Sequence, residues 1–466
     1  MALIIIGIIL LGFLLIITEN YTNVNKAAVA IFMGTVGWIL YISYGTDFVI
    51  SQHLQSYQEY LAGAMHTSEN VKEFIAQNIF LHYLAKASGI ALFLIATMAI
   101  VEILDNNGCF DFIEAWVRTR NSKVLLWKLA IATFILSANL DNLTTTVMIL
   151  MLIHKLIPSR QYRLLYGSVA VISANCGGAL TVIGSPEGLV LWNMGAITAT
   201  DYSLHLLLPC LAAWIIPTYW ISRTLPESMK IEFMGMPYRG DDTNLNVWQR
   251  VVMLFVGIGG LWFIPTFHTI TKLSPFLGAL CVLCVLWVIN EIFNRKLANV
   301  EVMVQRRKLR ILQYGSTQLI LFVVGIMLTM GVLGEIGVFN NVSDYLNNHV
   351  ANVWIIGALL GLLSSVLDNF ANGMTAISLY SVHSHYIPAG QTASEYALNF
   401  IQNGTYWKVI AFTSAIFGSI LPIGSMSGLA LMKENKVRLS WYFNNIGIKA
   451  LVGGLIGYLI LWIIIS

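Results

Sequence analysis

Apolar runs close to the length of a membrane-crossing helix recur from one end of this chain to the other, and nothing else in the sequence limits the fold as much. A spanning helix needs about 20 mainly apolar residues. Runs of that kind are predicted at 2–17, 27–44, 84–104, 202–223, 247–264, 275–292, 313–333 and 446–465. Of the 466 residues, 57% are hydrophobic and 11% charged, where a soluble domain carries about 25% charged residues. That deficit excludes an ordinary soluble enzyme. Lipid offers no partner to a free backbone amide, so these runs fold as helices. The stretch Ala2 to Ile17 lacks a basic leader and a small-x-small cleavage site, so it is expected to stay as a first helix. Residues 45–83 form a polar connection that could carry amphipathic helices. The net charge of +3 provides no basic field for nucleic acid.

Four further apolar segments, 124–157, 164–197, 351–382 and 406–432, are broken partway by polar or Gly/Pro residues. Charge sets their orientation, because loops rich in Lys and Arg stay cytoplasmic. The basic loop holding Arg295, Lys296, Arg306, Arg307, Lys308 and Arg310 is placed inside, as are Arg223, Lys230, Arg239 and Arg250. Segment 124–157 is entered past Arg118, Arg120 and Lys123 and left past Lys155, Arg160 and Arg163, so both of its ends lie inside. It is read as a re-entrant hairpin, against two short complete spans. Segment 351–382 has acidic and His neighbours (Glu335, Asp344, His383, His385, Glu395) and no Lys or Arg between Arg310 and Lys408, so both of its ends lie outside. In this topology Lys72, Lys86, Lys272 and Lys408 are the basic residues at the outer face.

The broken segments repeat. Ser137-Ala-Asn-Leu-Asp-Asn142 matches Ser364-Ser-Val-Leu-Asp-Asn369 at four of six positions. Gly178-Ala-Leu-Thr-Val-Ile-Gly-Ser-Pro-Glu-Gly188 and Gly418-Ser-Ile-Leu-Pro-Ile-Gly-Ser-Met-Ser-Gly428 share Gly, Ile, Gly, Ser and Gly in register. Opposite orientation of the two hairpins makes this an inverted-topology repeat, with halves 1–230 and 231–466. Matching interrupted segments in two halves are the best sequence pointer to a transport site. A carboxylate in the bilayer interior is costly, so Asp141 and Asp368 each need a partner, a proton or a cation. Asn142 and Asn369 add amide oxygens, and broken helices expose carbonyls that can complete a cation shell. Ser185, Ser425, Asn175, Thr181 and Thr144 supply neutral oxygens suited to a hard cation such as sodium. Gly177, Gly178, Gly184, Gly188, Gly418, Gly424 and Gly428 permit unwound backbone and close packing. Glu187, beside Pro186, is a further candidate ligand or proton carrier. The competing structural reading is that the two aspartates only cap helices.

Other polar residues read as structural. Glu102, Asp105 and Glu335 end spans and read as solvated termini. Lys86 and Lys128 read as snorkelling lysines. His154, His205, His383 and His385 read as surface residues. Cys109, Cys176, Cys210, Cys281 and Cys284 read as packing cysteines, without a metal or redox pattern.

These motifs resemble the NhaD-type sodium/proton antiporters of the ion transporter superfamily, over nearly the whole chain. The resemblance rests on Asn25-Lys-Ala-Ala28, S-A-N-L-D-N-L-T-T-T at 137–146 and A-N-C-G-G-A-L-T-V-I-G at 174–184. S-S-V-L-D-N at 364–369, I-G-S-M-S-G at 423–428 and Trp441-Tyr442 before a final span add to it. It implies an all-α polytopic membrane protein of about ten transmembrane helices plus two re-entrant hairpins, frequently dimeric; the apolar first helix suits a dimer interface. One departure stands out: typical members carry an Asp and a Thr run where this chain reads Ser185-Pro-Glu-Gly-Leu-Val-Leu-Trp192. Glu187 is a candidate substitute for that Asp. Gly-Ser-x-x-Gly in both halves is similar to the superfamily's anion carriers.

The reading that results is a secondary transporter, not an enzyme. It exchanges sodium (or lithium) for protons across a bacterial inner membrane, with sodium held at Asp141, Asn142, Asp368 and Asn369. No cofactor is expected, and the partners are membrane lipid and the transported ions. A buried Asp holds either a proton or sodium, and that competition couples the two fluxes. The alternative is a sodium-coupled carrier of organic or inorganic anions, which acidic tips and the absence of a deep Arg argue against. A non-transporting membrane scaffold or sensor is the third class.

Overall fold

The structure, a computed structural model, describes residues 2–62, 65–227, 245–294, 302–382 and 396–465, with 302–316 described as backbone only. Lys230, Arg239, Arg295, Lys296, His383, His385 and Glu395 lie outside the described residues, as do the side chains of Arg306, Arg307, Lys308 and Arg310. The described residues are helical, with no β-strand among them. Among the described residues, eight helices are long and apolar enough to cross a membrane. They are Lys26–Ser43, Ser68–Asn106, Ser122–Asn139, Ala199–Ser222, Val247–Thr271, Pro275–Asn294, Thr317–Glu335 and Leu439–Ile465. Ala2–Ile17 is shorter, at 16 residues. The chain is therefore a multi-pass membrane protein.

Two expectations about lengths change. Ser68–Asn106 is one 39-residue helical run. It therefore absorbs the end of the polar connection, and only Gly45–Gln52 and Leu54–Leu61 remain as short helices before it. Ser122–Asn139, the first arm of the first interrupted segment, reaches 18 residues. It starts earlier than expected because the Asn121 side chain accepts from the amides of Lys123 and Val124 and so caps the helix there.

The chain packs as two compact units, and each draws on both halves of the sequence. Packing and the expected repeat boundary at 230/231 are thus different divisions of the chain. The first unit comprises Met1–Ala91, Gly315–Asn352 and Met374–Ser381. Small residues let its helices close on one another, as in other membrane helix pairs. A Cβ at Gly325 would lie 2.5 Å from the Ala30 carbonyl carbon, and one at Gly34 would lie 3.1 Å from the Gly325 oxygen. The Trp38 indole donates to the Leu328 carbonyl at 3.1 Å.

The second unit comprises Leu92–Tyr314, Val353–Gly373 and Val382–Ser466 and holds all four interrupted segments up to Gly373. Ala199–Ser222 carries two internal prolines, Pro209 and Pro217. The glycine face of Ile448–Ile465 accommodates them: a Cβ at Gly457 would sit 2.6 Å from the Pro209 oxygen, and one at Gly453 2.7 Å from the Pro217 ring. Val247–Thr271 and Pro275–Asn294 bury only 22% and 28% of their apolar windows. Their exposed Trp248, Phe255, Trp262, Trp287 and Ile292 mark lipid-facing surfaces. Cys281 and Cys284 lie exposed on the second of these helices, so they are not packing cysteines; Cys109, Cys176 and Cys210 are buried.

Candidate functional site

Each interrupted segment breaks where its sequence changes character. Ser122–Asn139 stops at Leu140, whose backbone turns extended, and Asp141 opens Asn142–Leu156. The Asp141 carboxylate accepts from the amides of Leu143 at 3.0 Å and Thr144 at 2.9 Å, and from the Thr144 hydroxyl. Val353–Ser364 stops before Asp368, which accepts from the Phe370 amide at 3.1 Å, ahead of Asn369–Leu379. Both aspartates are buried. Both therefore take the capping role that was the competing reading, with the negative charge at a positive helix end.

The partner segments break in the same way. Arg160–Leu180 unwinds through Thr181 to Gly184, and Ser185 caps Pro186–Asn193 by accepting from Gly188 N at 3.3 Å. Thr405–Phe417 unwinds through Gly418 to Gly424, and Ser425 caps Met426–Asn435 by accepting from Gly428 N at 3.1 Å. The two serines share one backbone conformation, φ −144° and ψ 149° against φ −146° and ψ 154°.

Each of the two breaks, after Asn139 and after Ser364, is clasped by its partner segment. The Ser137 hydroxyl donates to the Ala174 carbonyl at 2.6 Å, and the Ser364 hydroxyl donates to the Ser414 carbonyl at 2.6 Å. A Cβ on Gly184 would lie 2.7 Å from the Ser137 oxygen and 2.8 Å from the Gly178 oxygen. A Cβ on Gly424 would lie 2.7 Å from the Ser364 oxygen and 2.8 Å from the Gly418 oxygen. Only glycine fits at either place, since carbonyl oxygens cannot move aside as a flexible side chain can. Gly178 and Gly418 pack against Asn142 and Asn369 respectively, and a Cβ on Gly188 or Gly428 would meet the unwound backbone at Val182 or Pro422. The Thr181 hydroxyl donates to the Ala138 carbonyl at 2.5 Å, and Gly177 lies against the Phe134 backbone.

Side chains then cross from one half to the other. The Asn175 amide donates to the hydroxyls of Ser419 at 2.9 Å and Ser425 at 3.0 Å. The Ser427 hydroxyl donates to the Asn142 carbonyl at 3.1 Å. Glu187 is buried, with Asp368 and then Asp141 within its electrostatic reach. Asp141, Asn142, Asp368, Asn369, Asn175, Ser185, Glu187 and Ser425 are thus all buried within one unit, with Thr181 half-buried. Grouped carboxylate, amide, hydroxyl and carbonyl oxygens of this kind suit a hard cation.

Sequence reasoning missed several polar residues. Ser419 and Ser427 lie inside the quoted repeat at positions its two copies do not share, opposite Ala179 and Glu187, and were not singled out. Asn372 is one turn beyond Asp368, and helical spacing places the two on one face. Lys408 is buried and paired with Asp201 at 2.7 Å, while His205 bonds the Asp201 carbonyl at 2.8 Å. Lys128 donates to the Trp116 carbonyl at 2.7 Å. Glu335 is not a solvated terminus. It is buried in the first unit and accepts from Tyr83 at 2.8 Å and Tyr41 at 3.2 Å, and it bonds His53 Nε2 at 2.6 Å. That hydrogen bond holds the His53 imidazole above its ordinary pKa. His154 is exposed.

Lipid-facing spans around a buried core of broken helices define a multi-pass membrane transporter. Residues 5–398 match the citrate transporter family, CitMHS, and the chain belongs to that family. It is 29% identical to sodium/proton antiporter 2 of Arabidopsis thaliana, over 96% of this chain and 97% of that protein. It is 34% identical to sodium/proton antiporter 1 of the same plant, over 81% of this chain and 62% of that protein. To the Na(+)/H(+) antiporter NhaD of Vibrio cholerae it is 25% identical, over 77% of this chain and 74% of that protein. These relatives place the chain with the NhaD-type group that its motifs resemble. The family and these relatives are transporters, not enzymes.

Proposed function

We propose that this chain exchanges sodium, or lithium, for protons across the cytoplasmic membrane of a bacterium. The observation that carries the reading is the pair of matching clasps, each setting a buried carboxylate and an asparagine at the start of a helix inside the fold. A carboxylate in such a place holds a proton or a cation, and exposing it to each side in turn exchanges one for the other. In this reading Asp141 and Asp368 alternate between the two occupants. Asn142, Asn369, Asn175, Thr181, Ser185, Glu187 and Ser425 supply further oxygens. The hairpins enter the membrane from opposite sides, as the two halves of an inverted repeat. Relatives named sodium/proton antiporters, from a plant and from a bacterium, support the ion pair. Membrane lipid surrounds the chain, and a homodimer fits its apolar first helix.

The family's description as citrate transporter favours a second reading, sodium-coupled uptake of a carboxylate. Everted vesicles energised by respiration separate the two. Added sodium or lithium is expected to raise the internal pH again, and Asp141→Asn and Asp368→Asn are each expected to abolish that recovery. Sodium-dependent citrate uptake with no cation-evoked proton movement would overturn the exchange reading.

A further inference from the structure

Glu187 opens the helix Pro186–Asn193 in the first half of the chain, yet its side chain turns to the second half. It is 2% exposed, and neither carboxylate oxygen has a hydrogen-bond partner. The Ser185 hydroxyl and its own N–H are close by without the alignment of a hydrogen bond. Its Cγ lies where a Cβ on Gly373 would be 2.9 Å away, and that same Cβ would be 3.6 Å from the Ser414 hydroxyl oxygen. Asn372 is fully buried next to Gly373, with its amide nitrogen 3.5 Å from the Ser414 hydroxyl and its carbonyl oxygen without a partner. Asp368 lies one helical turn before Asn372, within electrostatic reach of Glu187.

These groups have one chemistry in common: oxygens with lone pairs to give. An ionised carboxylate out of water needs a counter-charge, and a buried amide oxygen needs a donor or an ion. Among the described residues no Lys, Arg or His is ion-paired with Glu187. A hard monovalent cation meets the carboxylate, the amide oxygen and the hydroxyl together. Gly373 is what lets the Glu187 side chain approach, since any Cβ there would collide with it.

We propose that Glu187, Asn372, Ser414 and Asp368 form a cation pocket of the sodium class between the two halves of the chain, separate from the Asp141 clasp. The pocket rests on the transporter reading above and assigns the first-half acid to second-half ligands. Its occupant bridges Pro186–Asn193, Asn369–Leu379 and Thr405–Phe417.

Binding of radioactive sodium to the purified full-length protein in lipid nanodiscs tests this without transport. Glu187→Gln is expected to raise the half-saturating sodium concentration at least tenfold, and Asn372→Ala and Gly373→Ala three- to tenfold. Asp141→Asn is expected to leave a sodium-binding component that Glu187→Gln removes. If Glu187→Gln does not fold, judged by size-exclusion profile and melting, Asn372→Ala and Gly373→Ala carry the test. Wild-type sodium affinity in Glu187→Gln, or in both of the other two, overturns the pocket. If vesicle exchange still depends on Asp141 in that case, the transporter reading survives it. A wild-type protein with neither sodium binding nor cation-evoked proton movement overturns both.

Discussion

The first and second halves of the chain build the same clasp with different side chains around it. The backbone parts agree: a serine hydroxyl on a carbonyl at 2.6 Å, a glycine wedged between carbonyl oxygens, and a serine cap in nearly the same conformation. The surroundings do not. In the first half, Gly177 lies against the backbone of the large residue Phe134; in the second, Gly361 lies against the ring of Phe417. Large and small have changed places between the two packed helices, which keeps the pair close in both. The first half brings Glu187 and Asn175 to positions where the repeat register puts Ser427 and Ala415 in the second. Backbone geometry is thus what the halves share, and ligand chemistry is where they differ. The proposed Glu187 pocket draws on that difference, so sameness of scaffold and difference of side chain belong together.

The largest expected effects test the shared part. Gly184→Ala and Gly424→Ala each push a methyl into carbonyl oxygens, and each is expected to cost about 3 kcal/mol or more by overpacking. Thermal melting of the purified variants measures it; a large loss in one and none in the other would break the equivalence of the clasps. Next comes the exchanged pair. Gly361→Ala meets the Phe417 ring and Thr413 at 2.6–2.7 Å and is expected to cost about 1–3 kcal/mol, partly recovered by Phe417→Leu. Gly177→Ala meets backbone at 2.2 Å, so Phe134→Leu is expected to recover nothing. Equal rescue in the two halves would show that the swap is not the reason for the glycines.

Smaller effects probe the differences. Asn175→Ala leaves the Ser419 and Ser425 hydroxyls without their donor, expected at about 1–2 kcal/mol; Ser427→Ala, which removes one bond, is expected to cost less in the same melt. The smallest concerns His53 and Glu335, in the unit that lacks the clasps. The folded-state pKa of His53 is raised, so this contact stabilises fully below about pH 6.5, the ordinary imidazole value. Its contribution is lost as pH rises through the higher folded value. His53→Gln is expected to lower stability by about 1 kcal/mol at pH 6 and by less at pH 9. A loss that does not shrink with pH would remove the charged contact from the account.

Much of the scaffold was legible in the residue order. Charge scarcity and run length marked the membrane, and the doubled L-D-N and I-G-S motifs marked the breaks and the buried acids. Those signals are local: each lies within a dozen residues. The missed features are long-range. Tyr41 and Glu335 are 294 positions apart, His53 and Glu335 are 282 apart, and Asn175 and Ser425 are 250 apart. Glu335 read as a solvated terminus because its own helix ends there, and nothing near it in sequence supplies its three partners. Nor does the sequence around Lys408 show its partner Asp201, more than 200 positions away.

By itself the sequence determined the helical membrane class, the places where helices must break, and the acids those breaks bury. Lipid rejects unpaired backbone and unpaired charge, and that rejection acts on each segment separately. Only the tertiary structure decided which oxygens face Glu187, what holds Glu335, and how Asn175 ties one half to the other. A buried polar group is satisfied by whatever packing brings to it, and packing ignores distance along the chain.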